Sequence, residues 1–235
     1  MGSSRLPGKV VMDVHGKPVI ERLTDRLRTC KLLDDVVLAT TNSPADDQLE
    51  EWGEKAGISV YRGSEDDVLD RVVRAHEEMS TDIIVEITGD CPLLDPAVID
   101  LGIETFLANE CDVVTNVRLP SYPEGSDVQV YHFDALKKVA DTIDDAAVRE
   151  HVSLHFYENP DIYRVVHLLA PRPWRLPGQR LQVDYQEDLE FVRAVYAHLE
   201  PQFGPLFGLS ELVALLDRAP VLREINAYCQ EKPIR

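Results

Sequence analysis

Two hydrophobic periods alternate along most of the chain. Between Lys17 and Lys31 the apolar positions are Val19, Ile20, Leu23, Leu27 and Cys30, a helical spacing that leaves arginines on the other face. Asp35 to Thr41, DVVLATT, predicts a buried parallel strand ending in hydroxyls. Ala45 to Ala56 predicts a second helix stopped by Gly57, and Ile58 to Tyr61 a short strand. Ser64 suits a helix N-cap, with Glu65, Asp66 and Asp67 at the positive end of a helix that carries Val68, Leu69, Val72 and Val73 inward to Met79. Asp82 to Ile87 predicts another strand, Pro96 opens a helix to Asn109, and Cys111 to Val117 predicts a further strand. Strand, helix, strand, helix with short loops favours a largely parallel sheet with helices on both faces.

Beyond Arg118 the pattern loosens. Arg118 to Gly125 is a loop rich in proline and polar residues, and Ser126 to Phe133 alternates as a strand does. Asp134 to Asp141 and Asp144 to Glu158 predict helices, which places Arg149, Glu150 and His151 in mid-helix. Tyr163 to Ala170 and Arg180 to Val183 predict strands, and Gln186 to Leu199 and Ser210 to Tyr228 predict closing helices. The length of 235 residues suits a single α/β domain over 1–235, with a small insertion near 118–135.

Charge narrows the function classes. A net charge of −18 argues against a nucleic-acid partner, which needs a basic face. No apolar run approaches the length of a membrane span and no signal peptide is visible, so a cytoplasmic protein is expected. Cys30, Cys91, Cys111 and Cys229 form no C-x-x-C pair and read as reduced, buried thiols, not a zinc site.

Against this acidity the opening stretch, MGSSRLPGK, stands out. Gly2 and Gly8 allow close backbone approach, and Pro7 stiffens the turn. Arg5 supplies a planar fork of donors and Lys9 a point charge, a pairing suited to a polyphosphate, and successive N–H groups can form an anion nest. The competing reading is a disordered terminus. Two acids lie just past predicted strands: Asp90 in TGDCP and Asp184 in LQVDY. Ligands of open α/β sheets bind at such strand ends, and two carboxylates there suit one Mg²⁺. The alternative is that both simply cap the helices that follow. Glu124 and Asp127 read either as acceptors for hydroxyl or amino groups or as a solvated turn. His15 and Gly16 predict a turn before the first helix.

The opening loop resembles the nucleotide-binding signature A-R-x-x-S-x-R-x-P-G-K of the CMP-sugar cytidylyltransferases, in the branch of spore coat polysaccharide biosynthesis protein F. Ser3 or Ser4, Arg5, Pro7, Gly8 and Lys9 match, while the strand and Ala-Arg that precede them in the family are absent before Met1. TGDCPLLDP is similar to the family's G-D-x-P segment and VDYQEDLE to its V-D-T-P-E-D-L; YRGSEDDVLDR, YPEGSDVQVY and REHVSLHFY also follow the branch pattern. Tyr185-Gln186 stands where Thr-Pro is usual, and Ser126 where a larger residue often sits.

The resemblance implies a Rossmann-like αβα sandwich of the nucleotide-diphospho-sugar transferase type. It implies CMP transfer from CTP to an acidic or amino-modified sugar, or a related small acid, with release of pyrophosphate, in surface polysaccharide biosynthesis. Ser3, Ser4, Arg5, Gly8, Lys9, Arg62, Gly63 and Arg71 would hold the nucleotide, with Arg5 and Lys9 on its phosphates. Asp90 and Asp184 would hold Mg²⁺, with Asp90, Arg5 and Lys9 the catalytic set, and Glu124, Asp127, Arg149 and His151 would face the acceptor. A homodimer is expected, with the insertion as its contact. A glycosyltransferase of related fold is the alternative enzyme, although Asp95 lies too far from Asp90 for its D-x-D motif; a non-catalytic scaffold is the other.

Overall fold

In a computed structural model, which describes residues 1–230, the chain is an α/β fold whose sheets carry helices on two faces. The opening loop leads into a hairpin, β1 (Asp13–Val14) and β2 (Lys17–Pro18), turned by His15 and Gly16 with φ of 52° and 81°. There follow α1 (Val19–Leu27), β3 (Val37–Thr41), α2 (Asp47–Ala56), β4 (Ser59–Gly63), α3 (Val68–Glu78) and β5 (Ile83–Glu86). The second half comprises α4 (Pro96–Ala108), β6 (Val113–Thr115), β7 (Gln129–His132), α5 (Phe133–Thr142), α6 (Ala146–Glu150), α7 (Leu154–Glu158), β8 (Val165–His167), α8 (Gln186–Phe203) and α9 (Leu209–Arg218). No helix among the described residues is long and apolar enough to cross a membrane.

β3 and β4 pair in parallel, Val37 opposite Ser59 through Thr41 opposite Gly63. A four-stranded sheet runs β5-β7-β6-β8. Its strands β5, β6 and β8 share one direction, and β7 is antiparallel to both its neighbours. Successive strand residues face opposite sides, which explains the two cores. Val114 and Val130 point into a large cluster with residues of α1, α4, α8 and α9, including Leu23, Ile99, Phe191 and Leu212. Val113, Tyr131 and Ile84 point the other way, against Leu69, Leu136, Val148 and Phe156.

Four predicted elements differ, among them the closing helix expected over Ser210 to Tyr228, which ends at Arg218 just before Pro220. The strand expected over Ser126 to Phe133 does form, as Gln129–His132, an inner strand whose Val130 and Tyr131 are fully buried. Arg180–Val183 joins no ladder; it is tied by an isolated bridge to Glu124 and by the Val183 N–H donating to the Asp90 carbonyl at 2.9 Å. The helix expected over 144–158 breaks at His151, because the Leu154 N–H turns back to the His151 carbonyl and buries Val152 and Leu154. Ser64 does not cap α3. Asp67 does, accepting from the Asp70 N–H at 2.9 Å, while Ser64 Oγ accepts from Asp67 N–H one turn earlier. The four cysteines are unpaired, with Cys91 and Cys111 buried and Cys30 and Cys229 half-buried.

Helix capping assigns the acids that follow strands. Asp95 caps α4 through the Ala97 N–H (2.9 Å) and receives the Leu209 N–H that opens α9 (2.6 Å). Asp188, fully buried, receives the Asp184 and Tyr185 N–H groups, each at 3.1 Å, at the start of α8. Asp95 and Asp188 do the capping, so Asp90 and Asp184 keep their side chains for other partners. Asp95→Ala releases two helix N-termini at once and should lower stability by about 2 kcal/mol in denaturant unfolding. A loss within experimental error would show that Asp95 is not the shared cap.

Candidate active site

Asp90 lies in the turn beyond the C-terminal end of β5, and Asp184 in the turn that opens α8. The Val183-to-Asp90 backbone hydrogen bond holds the two turns side by side. Across them lies the opening loop. Its anchor is Leu6, which is 9% exposed and joins the large core, and its Gly8 N–H returns to the Met1 carbonyl at 3.2 Å. Gly8 sits at φ +72°, and a Cβ there would meet Met1 Cε at 3.2 Å, so both conformation and space favour glycine. Ser3 Oγ accepts from the Leu6 N–H at 3.3 Å, bracing the loop, and Ser4 is exposed.

The loop places Lys9 Nζ between the carboxylates. It donates to Asp90 Oδ2 and, at 2.7 Å, to Asp184 Oδ1. Arg5 reaches the same Asp184 Oδ1 at 2.7 Å, with its guanidinium 5.2 Å from the Tyr185 ring centroid. The departure from the family's Thr-Pro therefore supplies an aromatic face under a site arginine. Burial disfavours the Lys9 ammonium, but Asp90 and Asp184 outweigh it and hold its pKa above the ordinary value. Burial likewise disfavours ionised Asp184, but Lys9, then Arg5 and Arg180, hold its carboxyl below the usual range. Both groups are charged at neutral pH.

At its other end the loop meets β3 and α3. The Met1 amino group donates to Asp46 Oδ1 at 2.7 Å. A Cβ on Gly2 would lie 2.7 Å from Glu65 Oε1. Arg71 lies beside this end: its Nη1 donates to the Ser64 carbonyl and its buried Nε has no hydrogen-bond partner. Burial lowers its pKa, against the charges of Asp46, Glu65 and Asp67. A Cβ on Gly63 would meet Arg71 Cγ and Tyr61 Cε1 at 3.0 Å, so the glycine gives the arginine room to cross the strand.

Arg62 and Arg149 pair with acids away from the carboxylate centre, whereas Glu124 joins it through Arg180. Arg62 braces the loop after β3, donating to the Thr41 and Ser43 carbonyls (2.9 and 2.7 Å) and pairing with Glu50 (2.6 Å) and Asp47 (2.8 Å). Arg149 pins α6 to α3 by pairing with Asp67, and donates to the Ala140 carbonyl at 2.6 Å. His151 sits at the break after α6 and its backbone closes the turn. Glu124 pairs with Arg180 at 3.0 Å. Asp127 lies near Cys91 and Tyr157, where its charge adds to the burial that raises both their pKa values.

Sequence reading missed Arg180. It is 4% exposed and holds Glu124, Asp184 and Asp188 at 3.0, 3.1 and 3.4 Å. A polar cluster between β5, β7 and α7 was also missed. The Glu86 carboxylate accepts from Tyr131 Oη (2.8 Å), Ser153 Oγ (2.9 Å) and Gln129 Nε2 (3.3 Å), and Tyr157 Oη donates to Gln129 Oε1 and shares a hydrogen bond with the Thr115 hydroxyl. A carboxylate ending an otherwise apolar strand, IIVE, is the signal that marks it.

Two strand-end carboxylates, a glycine-bearing loop laid across them and a lysine delivered by that loop define the class: an α/β fold with a charged cleft at the C-terminal ends of its strands, chemistry suited to a phosphorylated ligand. The comparisons make the class specific. The family model described as cytidylyltransferase matches residues 1–232, so the chain belongs to the cytidylyltransferase family and is a nucleotidyltransferase. It is 34% identical to spore coat polysaccharide biosynthesis protein SpsF of Bacillus subtilis over 224 residues, covering 94% of this chain and 92% of that one. A cytidylyltransferase from Leptospira borgpetersenii superposes with a TM-score of 0.89 at 28% identity, over 99% of this chain and 95% of that one. A CMP:2-keto-3-deoxy-manno-octonic acid synthetase solved with CTP shares the fold at a TM-score of 0.63 and 22% identity, over 83% and 94% of the two chains.

Lys9→Met leaves two converging, largely buried carboxylates without their shared cation. The variant should lose about 3 kcal/mol at pH 7. Lys9 is the strongest of the charges that hold the Asp184 carboxyl low, so the stability it contributes is present at pH 7 and the variant's deficit shrinks as pH falls towards about 3, through the carboxylate range. Unfolding at both pH values checks this; a deficit that stays constant or grows on acidification would contradict the shared-cation geometry.

Proposed function

We propose that the protein transfers CMP from CTP to a hydroxyl of an acidic or amino-modified sugar, or a related small acid, and releases pyrophosphate. The observation that carries this reading is the meeting of Lys9 and Arg5 with Asp90 and Asp184 beneath the opening loop. The family and the relatives' names support cytidine as the base and a sugar acid as the acceptor class. The SpsF relationship supports a role in surface polysaccharide assembly, and the proposed use of CTP supports a cytoplasmic location.

The residues present fit Mg²⁺. Among the described residues no cluster of three or more Asp, Glu, His or Cys gathers for a metal, while two carboxylates converge on one cationic atom. Two carboxylates, with phosphate oxygens and water filling the remaining positions, are the usual protein share of a magnesium site. Bound there, the ion supplies charge neutralisation at the α-phosphate and a template for the attacking oxygen.

The chain's own groups do the rest. The loop N–H groups and Gly8 let the triphosphate lie close to the backbone, and Arg5 and Lys9 turn from the carboxylates to its β- and γ-phosphates. The acceptor oxygen forms a new bond to the α-phosphorus, the bond from that phosphorus to the β-phosphate bridge breaks, pyrophosphate leaves, and the acceptor's hydroxyl proton passes to solvent. Glu124 and Asp127 meet acceptor hydroxyl or amino groups. Val117 and Leu169, each two residues beyond the paired Thr115 and His167, are exposed together with Leu119 and offer the apolar face on which a homodimer would close.

Asp90→Asn should leave the fold intact and reduce CMP transfer about 10³-fold or more, since charge stabilisation at the reacting phosphate is removed. Calorimetric titration of the wild-type chain with CTP, against UTP and with and without Mg²⁺, tests substrate and metal together. Normal turnover by the variant, or equal binding of CTP and UTP that Mg²⁺ leaves unchanged, would overturn the proposal and favour a non-catalytic scaffold.

A further inference from the structure

The two oxygens of Asp184 have separate partners. Oδ1 faces the site, with Lys9 and Arg5 each at 2.7 Å. Oδ2 faces inward, receiving Arg180 Nη2 at 3.1 Å and Gln182 Nε2 at 3.2 Å. Arg180 is itself fixed. Its Nη1 holds Glu124 at 3.0 Å and its Nε and Nη2 hold the two oxygens of Asp188 at 3.4 Å. Asp188 is fully buried and receives Asn226 Nδ2 at 2.8 Å, and that same nitrogen donates to the Arg180 carbonyl at 3.2 Å. The α8 N-terminus adds the Asp184 and Tyr185 N–H groups to Asp188. A carboxylate on a short side chain would otherwise rotate freely and offer both oxygens to a cation.

We propose that Arg180 is a positioning residue that makes Asp184 a one-oxygen ligand and so sets which divalent ion the site prefers. The inference rests on the metal reading above. Magnesium demands six ligands in near-octahedral array at about 2.1 Å, whereas calcium takes six to eight at 2.3–2.6 Å and accepts bidentate carboxylates readily. A carboxylate held to one oxygen spends one of magnesium's six places and leaves the rest to Asp90, phosphates and water. Released from Arg180, Asp184 can swing to chelate with both oxygens, which favours the larger ion. The planar fork is required because three carboxylates are met in fixed directions; a lysine ammonium carries the charge without the geometry. Gln182 is the second, weaker restraint on the same oxygen.

The test is Mn²⁺ binding to the protein in the presence of a non-hydrolysable CTP analogue, followed by electron paramagnetic resonance, with Mg²⁺ and Ca²⁺ as competitors. In Arg180→Lys the preference for Mg²⁺ over Ca²⁺ should fall about tenfold, the usual scale for loss of a ligand's supporting partner. Binding of the analogue without metal should stay near wild type. Gln182→Ala, on a half-buried side chain, should shift the preference in the same direction by less, and it decides the question where Arg180→Lys fails to fold. A role in packing alone would weaken both ions by one factor. An unchanged Mg²⁺-to-Ca²⁺ ratio in whichever variants fold overturns the positioning role and leaves the proposed reaction standing. Absence of site-bound Mn²⁺ in the wild-type complex overturns both.

Discussion

The placement of one ammonium group between two carboxylates governs the organisation of this site. Asp90 and Asp184 come from turns far apart in sequence, and each is held close to the other by backbone hydrogen bonding and burial. Two carboxylates so placed repel in a medium that screens poorly, and a shared cation offsets that repulsion. Lys9 provides it, and can do so only because Leu6 is sunk in the core and Gly8 turns the chain through a left-handed conformation. The loop therefore closes over the strand ends for electrostatic as much as for packing reasons.

The sheet makes the placement possible by keeping structural work away from the site. Helix N-termini attract acids, and the two helices nearest the centre are capped by Asp95 and Asp188, each a few residues beyond the acid that faces the site. This division of labour accounts for the paired acids in GDCPLLD and VDYQED. In each pair the first member meets the shared cation and the second satisfies backbone donors. Glu86 shows the same economy at the end of β5, just before the Asp90 turn: burial lifts its carboxyl pKa, hydrogen bonds from Tyr131 and Ser153 act against the lift, and the group knits β5 to β7 and the start of α7.

The alternation of periods made the fold class legible in the sequence, because strands buried on both faces and amphipathic helices have distinct signatures. Asp90, Asp184, Arg5 and Lys9 were legible as a centre because ligands bind at strand ends, where the two acids fall, and a basic glycine loop is unusual in so acidic a chain. What was not legible depends on contacts between distant segments. Arg62 and Arg149 look alike in sequence to Arg5, yet local acids at Asp47, Glu50 and Asp67 claim their guanidinium groups. The antiparallel course of β7 could not be read from Ser126 to Phe133, since alternation reports exposure and not direction. The break at His151 was hidden because Val152 and Leu154 keep an apolar rhythm compatible with helix. Arg180 escaped notice because its three acidic partners lie at 124, 184 and 188, a set that only the folded chain assembles.

The charge balance of the centre constrains how the proposed reaction can begin. Arg5 and Lys9 are the cations that would meet a triphosphate, and both are already paired with Asp184 or Asp90. A nucleotide arriving alone would draw them away and leave Asp90 without its cation and Asp184 with Arg180 alone beside a polyanion, in a chain whose net charge is −18. A metal ion arriving alone would have to displace Lys9 while that ammonium has nowhere better to go. Arriving together, the phosphates take the lysine and the carboxylates take the ion, and every charge keeps a partner throughout. The resting ion pair is thus a stand-in for the loaded state. It keeps the carboxylates aligned, and under the proposed reaction it would make nucleotide and metal depend on each other for entry.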